Sequence, residues 1–120
     1  MRLRSGAEFR HVLTKGMRLP GPLFVLVAVE NAEGHDRLGL TVSRRIGGAV
    51  SRNRARRLIR EGFRRRHPRA GGRAFDLVVI AARALGDGSQ GEVDREFADR
   101  LRRLERRIAE RRRTPPPDAG

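Results

Sequence analysis

The hydrophobic positions change period along the chain, and each change marks an element. Phe9, Val12 and Leu13 recur at helical spacing behind Ser5-Gly6-Ala7-Glu8, which reads as a capping box with Ser5 at the N-cap and Glu8 reaching back. Gly16 closes that short helix after Lys15. Pro20-Gly21-Pro22 interrupts the chain, and residues 23–29 form a continuous, valine-rich apolar run of strand length. Residues 37–43 alternate, with Leu38, Leu40 and Val42 on one face and Gly39 and Thr41 on the other. The polar stretch 30–36 between these runs predicts an antiparallel hairpin. Residues 74–82 are apolar on both faces, as suits a central strand, and 85–89 read as a loop. Ser89 and Glu92 form a second capping box, opening a helix whose stripe is Val93, Phe97, Leu101, Leu104 and Ile108.

Residues 43–66 break this regularity with charge. Arginine occupies positions 44, 45, 52, 54, 56, 57, 60, 64, 65 and 66. At 100° per residue, Ala55, Leu58, Ile59, Gly62 and Phe63 share a sector of about 140°. Asn53, Arg54, Arg56, Arg57, Arg60 and Arg64 fall on the other side. One face can seat on a core while the other presents guanidinium groups to a polyanion. Arg52, Arg54, Arg56 and Arg57 crowd the first turns, where the macrodipole is positive and each cation costs roughly 0.3–1 kcal/mol. Glu61 is the single acidic residue of the stretch. Stability alone does not select such a pattern; relief of the repulsion by phosphate does, the alternative being a solvated basic face on an arginine-rich protein. Glycines 47 and 48, just ahead of the helix, allow close backbone approach, and His67-Pro68 ends it.

Composition sharpens the direction. The chain has 120 residues, a formal net charge of +14 and 28 Lys+Arg, of which all but Lys15 are arginine. Arginine supplies a planar donor fork suited to phosphate and to stacking on bases. The absence of cysteine excludes disulfides, thiol catalysis and thiolate metal sites. No apolar run is long enough to span a bilayer and no signal-peptide pattern opens the chain, so a cytoplasmic protein without a membrane partner is expected. Residues 1–113 read as one domain, and the proline-rich 114–120 as a disordered tail.

Catalytic chemistry is not visible. His11, His35 and His67 are scattered, without a serine or carboxylate in a recognisable arrangement. Glu92, Asp94, Glu96 and Asp99 crowd the start of the last helix and read as surface charge rather than a metal cluster. In that helix the acids come early and the arginines late, which suits the dipole and reads as structural.

The run 39–61, GLTVSRRIGGAVSRNRARRLIRE, closely resembles the signature of the bacterial ribonuclease P protein subunit, with Arg52-Asn53-Arg54 matching its RNR motif. Residues 9–16 are similar to that family's first helix, Phe24-Val25-Leu26 to its first long strand, and 76–83 to its last. The resemblance implies an α/β fold of the α+β sandwich type. Its element order would be αβββαβα, with a mixed central sheet and a left-handed βαβ crossover, so a fourth strand must be short or split from a longer one. It implies a protein partner of a catalytic RNA that hydrolyses precursor tRNA at the 5′ end of the mature sequence, with Mg²⁺ bound mainly by RNA. It assigns Arg44, Arg45, Arg52, Asn53, Arg54, Arg56, Arg57 and Arg60 to the RNA face. It also places Phe9, Leu13 and Val27 in a cleft for the single-stranded 5′ leader, although spacing alone leaves Phe9 equally a core ring. Leu13 stands where that family often has a second aromatic and Val27 near a position that is commonly tyrosine, which implies weaker stacking on leader bases. A ribosomal type of structural RNA-binding protein is the alternative.

Overall fold

The computed structural model describes residues 2–3, 5–66 and 73–113, the last two of these by backbone alone. The described residues form a four-stranded mixed sheet and three α-helices. Helix α1 (Gly6–Lys15) begins as its sequence predicts: Ser5 Oγ accepts from Glu8 N at 3.1 Å and Glu8 Oε1 accepts from Ser5 N at 3.0 Å. Gly16 closes it for a packing reason. Its φ of −73° suits any residue, but a Cβ there would lie 2.4 Å from Val12 O and 2.6 Å from Val27 Cγ1.

The strands are β1 (Met17–Leu19), β2 (Phe24–Asn31), β3 (Arg37–Thr41) and β4 (Ala74–Ala81), in the spatial order β1-β2-β4-β3. The three-residue β1 is the missing short strand, paired antiparallel to β2 with Met17 opposite Ala28. The expected hairpin between residues 23–29 and 37–43 does not form. Instead β4 lies between β2 and β3, antiparallel to β2 (Phe24 opposite Ala81) and parallel to β3 (Arg37 opposite Asp76). The reason is burial. Residues 74–79 are all buried, so β4 needs a hydrogen-bonded neighbour on each edge and apolar cover on each face. Asp36 adds a local anchor by accepting from Phe75 N at 2.9 Å.

Helices α2 (Ala49–Arg65) and α3 (Gln90–Arg113) pack against each other and cover one face of the sheet. Phe24, Leu26, Leu77 and Val79 meet Leu58, Ile59, Val93 and Phe97 there. Alternate residues of the same strands, Val27 and Val78, point the other way and meet Val12 and Leu3 beneath α1. Each strand therefore feeds two cores, as its period of two requires. Short 3-10 turns at Arg44–Ile46 and Arg83–Asp87 follow β3 and β4; the second stands where a loop was expected.

The carboxylates of α3 divide by role. Glu92 and Ser89 complete the second capping box at 2.9 and 3.2 Å. Glu96, expected at the surface, is buried and accepts from Leu23 N at 3.0 Å and Phe24 N at 2.9 Å, fastening the turn ahead of β2 to the helix. Among the described residues no three His, Asp or Glu side chains come together as a metal site. None of the described helices is long and apolar enough to cross a membrane. The expected tail 114–120 and the His67-Pro68 stop lie outside the described residues.

Candidate nucleic-acid interface

The arginines of α2 sort by what they touch. At the C-terminal end they are neutralised within the protein. Arg64 and Arg65 both pair with Glu61, the hydrogen bond from Arg64 chiefly holding that carboxyl down at about 2. Arg65 also reaches Asp94 at 3.3 Å. Arg66 pairs with Asp36 at 3.1 Å and its guanidinium lies 3.7 Å from the Phe63 ring centre. Upstream the pattern reverses. Among the described residues, none of Arg44, Arg45, Arg52, Arg54, Arg56, Arg57 and Arg60 has a carboxylate within 4.0 Å. The charge is left uncompensated along the N-terminal half of the helix and the turn before it.

The helix start adds to that field. Its N-cap is Gly48, without a side-chain cap, and the first turn holds no acid. The first N–H groups and the positive end of the dipole thus face outward beside arginine, an arrangement that favours anions. Gly47 permits the entry through its φ of 139°. A Cβ on Gly48 would meet nothing within 4 Å, so the expected close backbone approach is absent there.

Within this set the roles differ. Arg44, Arg45, Asn53, Arg57 and Arg60 are exposed. Arg56 is half-buried and donates to Asn53 Oδ1 at 3.0 Å, so the asparagine orients it. Arg52 is half-buried, and its Nε is enclosed without a hydrogen-bond partner among the described residues. Arg54 departs from the predicted face. It turns back, donating to Gly86 O at 3.1 Å and Gly88 O at 2.7 Å, and so ties α2 to the turn after β4. That latch carries Arg83, which the sequence pattern had not singled out. The exposed Arg83 joins Ser43 and Arg45 around a depression of about 950 Å³ at the ends of β3 and β4.

The opposite face of the sheet carries the second expected surface. Phe9 and Leu13 are half-buried on α1 beside Val25, Val29 and Ile80. Val27 is a correction: it is fully buried beneath Val12 and Gly16 and cannot touch a ligand in this arrangement. The half-buried apolar residues of β2 on that face are its neighbours Val25 and Val29. A polar clamp fixes α1 at this site. Arg37 donates to Asp76 through Nε (2.8 Å) and Nη2 (2.7 Å), and to Glu8 through Nη1 (2.6 Å). Asn31 donates to Asp76 at 2.7 Å. Burial would push the Asp76 carboxyl up, but these hydrogen bonds from Arg37 and Asn31 outweigh it and hold it below the usual aspartate range. Arg37 is held correspondingly high, chiefly by its bond to Asp76.

The model of a family described as Ribonuclease P matches residues 1–105. The chain belongs to the ribonuclease P protein family. It is 32% identical over 102 residues to a Clostridium botulinum ribonuclease P protein component, covering 85% of this chain and 92% of that one. It is 40% identical over 105 residues to a Pseudomonas aeruginosa ribonuclease P protein component, covering 86% and 76%. Among solved structures it is similar to a Staphylococcus aureus RNase P protein (TM-score 0.74, 32% identity, 86% of this chain and 94% of that one). It is likewise similar to the RNase P protein from Thermotoga maritima (TM-score 0.72, 31% identity, 86% and 96%). The span matched to the ribonuclease P family includes every residue of both surfaces described above.

Proposed function

We propose that this chain is the protein component of a ribonuclease P ribonucleoprotein, acting in 5′ maturation of tRNA with the RNA subunit and the precursor tRNA as its partners. Membership of the ribonuclease P family supports the activity. The observation in the chain itself that carries the reading is the set of uncompensated arginines along 44–60, beside an uncapped helix start. Such a surface stabilises phosphate and gains nothing from a neutral ligand. The protein's share of the work follows from that charge. It lowers the repulsion between RNA subunit and substrate, and its α1 face holds the unpaired leader through Phe9 and Leu13. The reacting groups belong to the RNA, with Mg²⁺ held there and on the substrate.

The test is cleavage of a 5′-extended precursor tRNA at low Mg²⁺ by a bacterial ribonuclease P RNA, with and without the protein. Strong stimulation of cleavage at one site, with no cutting by protein alone, is the expected result. Tight RNA binding without stimulation would overturn the reading in favour of a structural RNA-binding protein.

A further inference from the structure

A cavity of about 310 Å³ lies at the outer edge of β3, away from the half-buried valines of the α1 face. Its walls come from both sides of the sheet. Phe9 contributes from the α1 side and Phe63 from the α2 side, with Gly39 and Leu40 of the edge strand between them. The missing side chain at Gly39 shapes it, since a Cβ there would lie 2.6 Å from Phe9 Cζ. Arg56 and Arg60 stand in the same lining. Arg56 is oriented by Asn53, and Arg60 is exposed with no hydrogen bond or ion pair to any described residue. No lining residue carries a carboxylate.

We propose that this cavity receives one unstacked RNA base, with the adjoining phosphates on Arg56 and Arg60. The proposal rests on the ribonuclease P reading and adds a base site at the edge of β3, where Phe9 of the α1 face and Arg56 and Arg60 of the arginine face meet around Gly39. Size and chemistry select the ligand. The volume is at the lower end of small-molecule sites, enough for a flat ring and too small for a helix. Aromatic and aliphatic walls suit the faces of a base, which every nucleotide offers whatever its identity. A cationic rim without acids selects the polyanionic chain attached to that base and rejects amines. Paired bases cannot enter, so the base comes from a single-stranded stretch, either of the precursor leader or of the RNA subunit.

The test is a coupling measurement on the assembled ribonucleoprotein. Abasic sites are placed one at a time in the leader and in the unpaired positions of the RNA subunit, and holoenzyme affinity is measured with native protein and with Phe63→Leu, which keeps an apolar side chain against the core. One abasic position is expected to weaken binding by about 5- to 100-fold with native protein and by less than about twofold with the variant. The strand carrying that position identifies the source. Arg60→Gln supplies an arm free of folding effects, because the side chain is exposed and has no partner to lose among the described residues. Its effect should shrink at least threefold when the coupled position is abasic. Equal penalties with all proteins at every position would overturn the base site while leaving the arginine face standing. Failure of the native protein to stimulate cleavage in the same preparation would overturn the ribonuclease P reading itself.

Discussion

Arg54 and Gly88 are 34 positions apart, yet the Arg54 Nη2 donates to the Gly88 carbonyl at 2.7 Å. The third residue of the Arg-Asn-Arg motif is therefore fastened inside the protein, while Arg57, one turn along, stands exposed without a partner among the described residues. The two should behave differently. Arg57→Ala is expected to weaken RNA binding and lower the slope of log affinity against log salt by about one unit, with little change in stability. Arg54→Ala is expected to lower the unfolding free energy by about 1–3 kcal/mol, because two carbonyls lose a charged donor. Salt titration of binding and urea unfolding of both variants check this pair; an Arg54 variant of native stability with a reduced salt slope would reverse the assignment.

Asp76 predicts the acid limb of stability. Its carboxyl is held below its usual range in the fold, so the unfolded chain takes up a proton at higher pH than the native one. The stabilisation is then complete above about pH 4–5, the region of an unperturbed aspartate. It is lost as pH falls through the depressed folded value. Asp76→Asn should flatten this limb relative to the native chain while lowering stability at neutral pH. Urea midpoints between about pH 2 and 7 measure it, and parallel curves for the two proteins would refute it.

Glu96 accepts from two buried backbone donors, Leu23 N and Phe24 N. Glu96→Ala would leave both unsatisfied, at about 1–3 kcal/mol each. Glu96→Gln keeps one acceptor oxygen and should lose roughly half as much. Denaturant unfolding of the two variants provides the comparison. Equal stability of the alanine and glutamine variants would show that water replaces the carboxylate.

Gly39→Ala tests the coupling between the edge strand and α1. The added Cβ would overlap Phe9 at 2.6 and 2.8 Å, and the ring is the part able to move. The expected stability loss is at most about 1–3 kcal/mol. The larger effect should be on the preference for precursor over leaderless tRNA, read as the ratio of the two affinities. A preserved ratio would show that Phe9 need not occupy its present position.

Some features were legible because they are local. The capping boxes of Ser5–Glu8 and Ser89–Glu92, the stripe on α3 and the arginine face of α2 are relationships within one or two helical turns. Spacing and side-chain chemistry alone determine them. The family signature at 39–61 is also a continuous segment.

What tertiary structure decided is non-local. The sequence pattern supports a hairpin between β2 and β3, and β4 intervenes because it is buried on both faces and needs two partners. A burial pattern gives a strand its faces but not its neighbours. The same holds for Val27, which the family resemblance places in the leader cleft but which Gly16 and Val12 close over in the fold. Which arginines face solvent depends likewise on acceptors and carboxylates brought from elsewhere: Gly86 and Gly88 for Arg54, Asp36 for Arg66, and both Asp76 and Glu8 for Arg37. The amount of positive charge and its helical phase belong to the sequence. Its division between charge spent inside the protein and charge left for RNA belongs to the fold, because long-range contacts alone supply the acceptors.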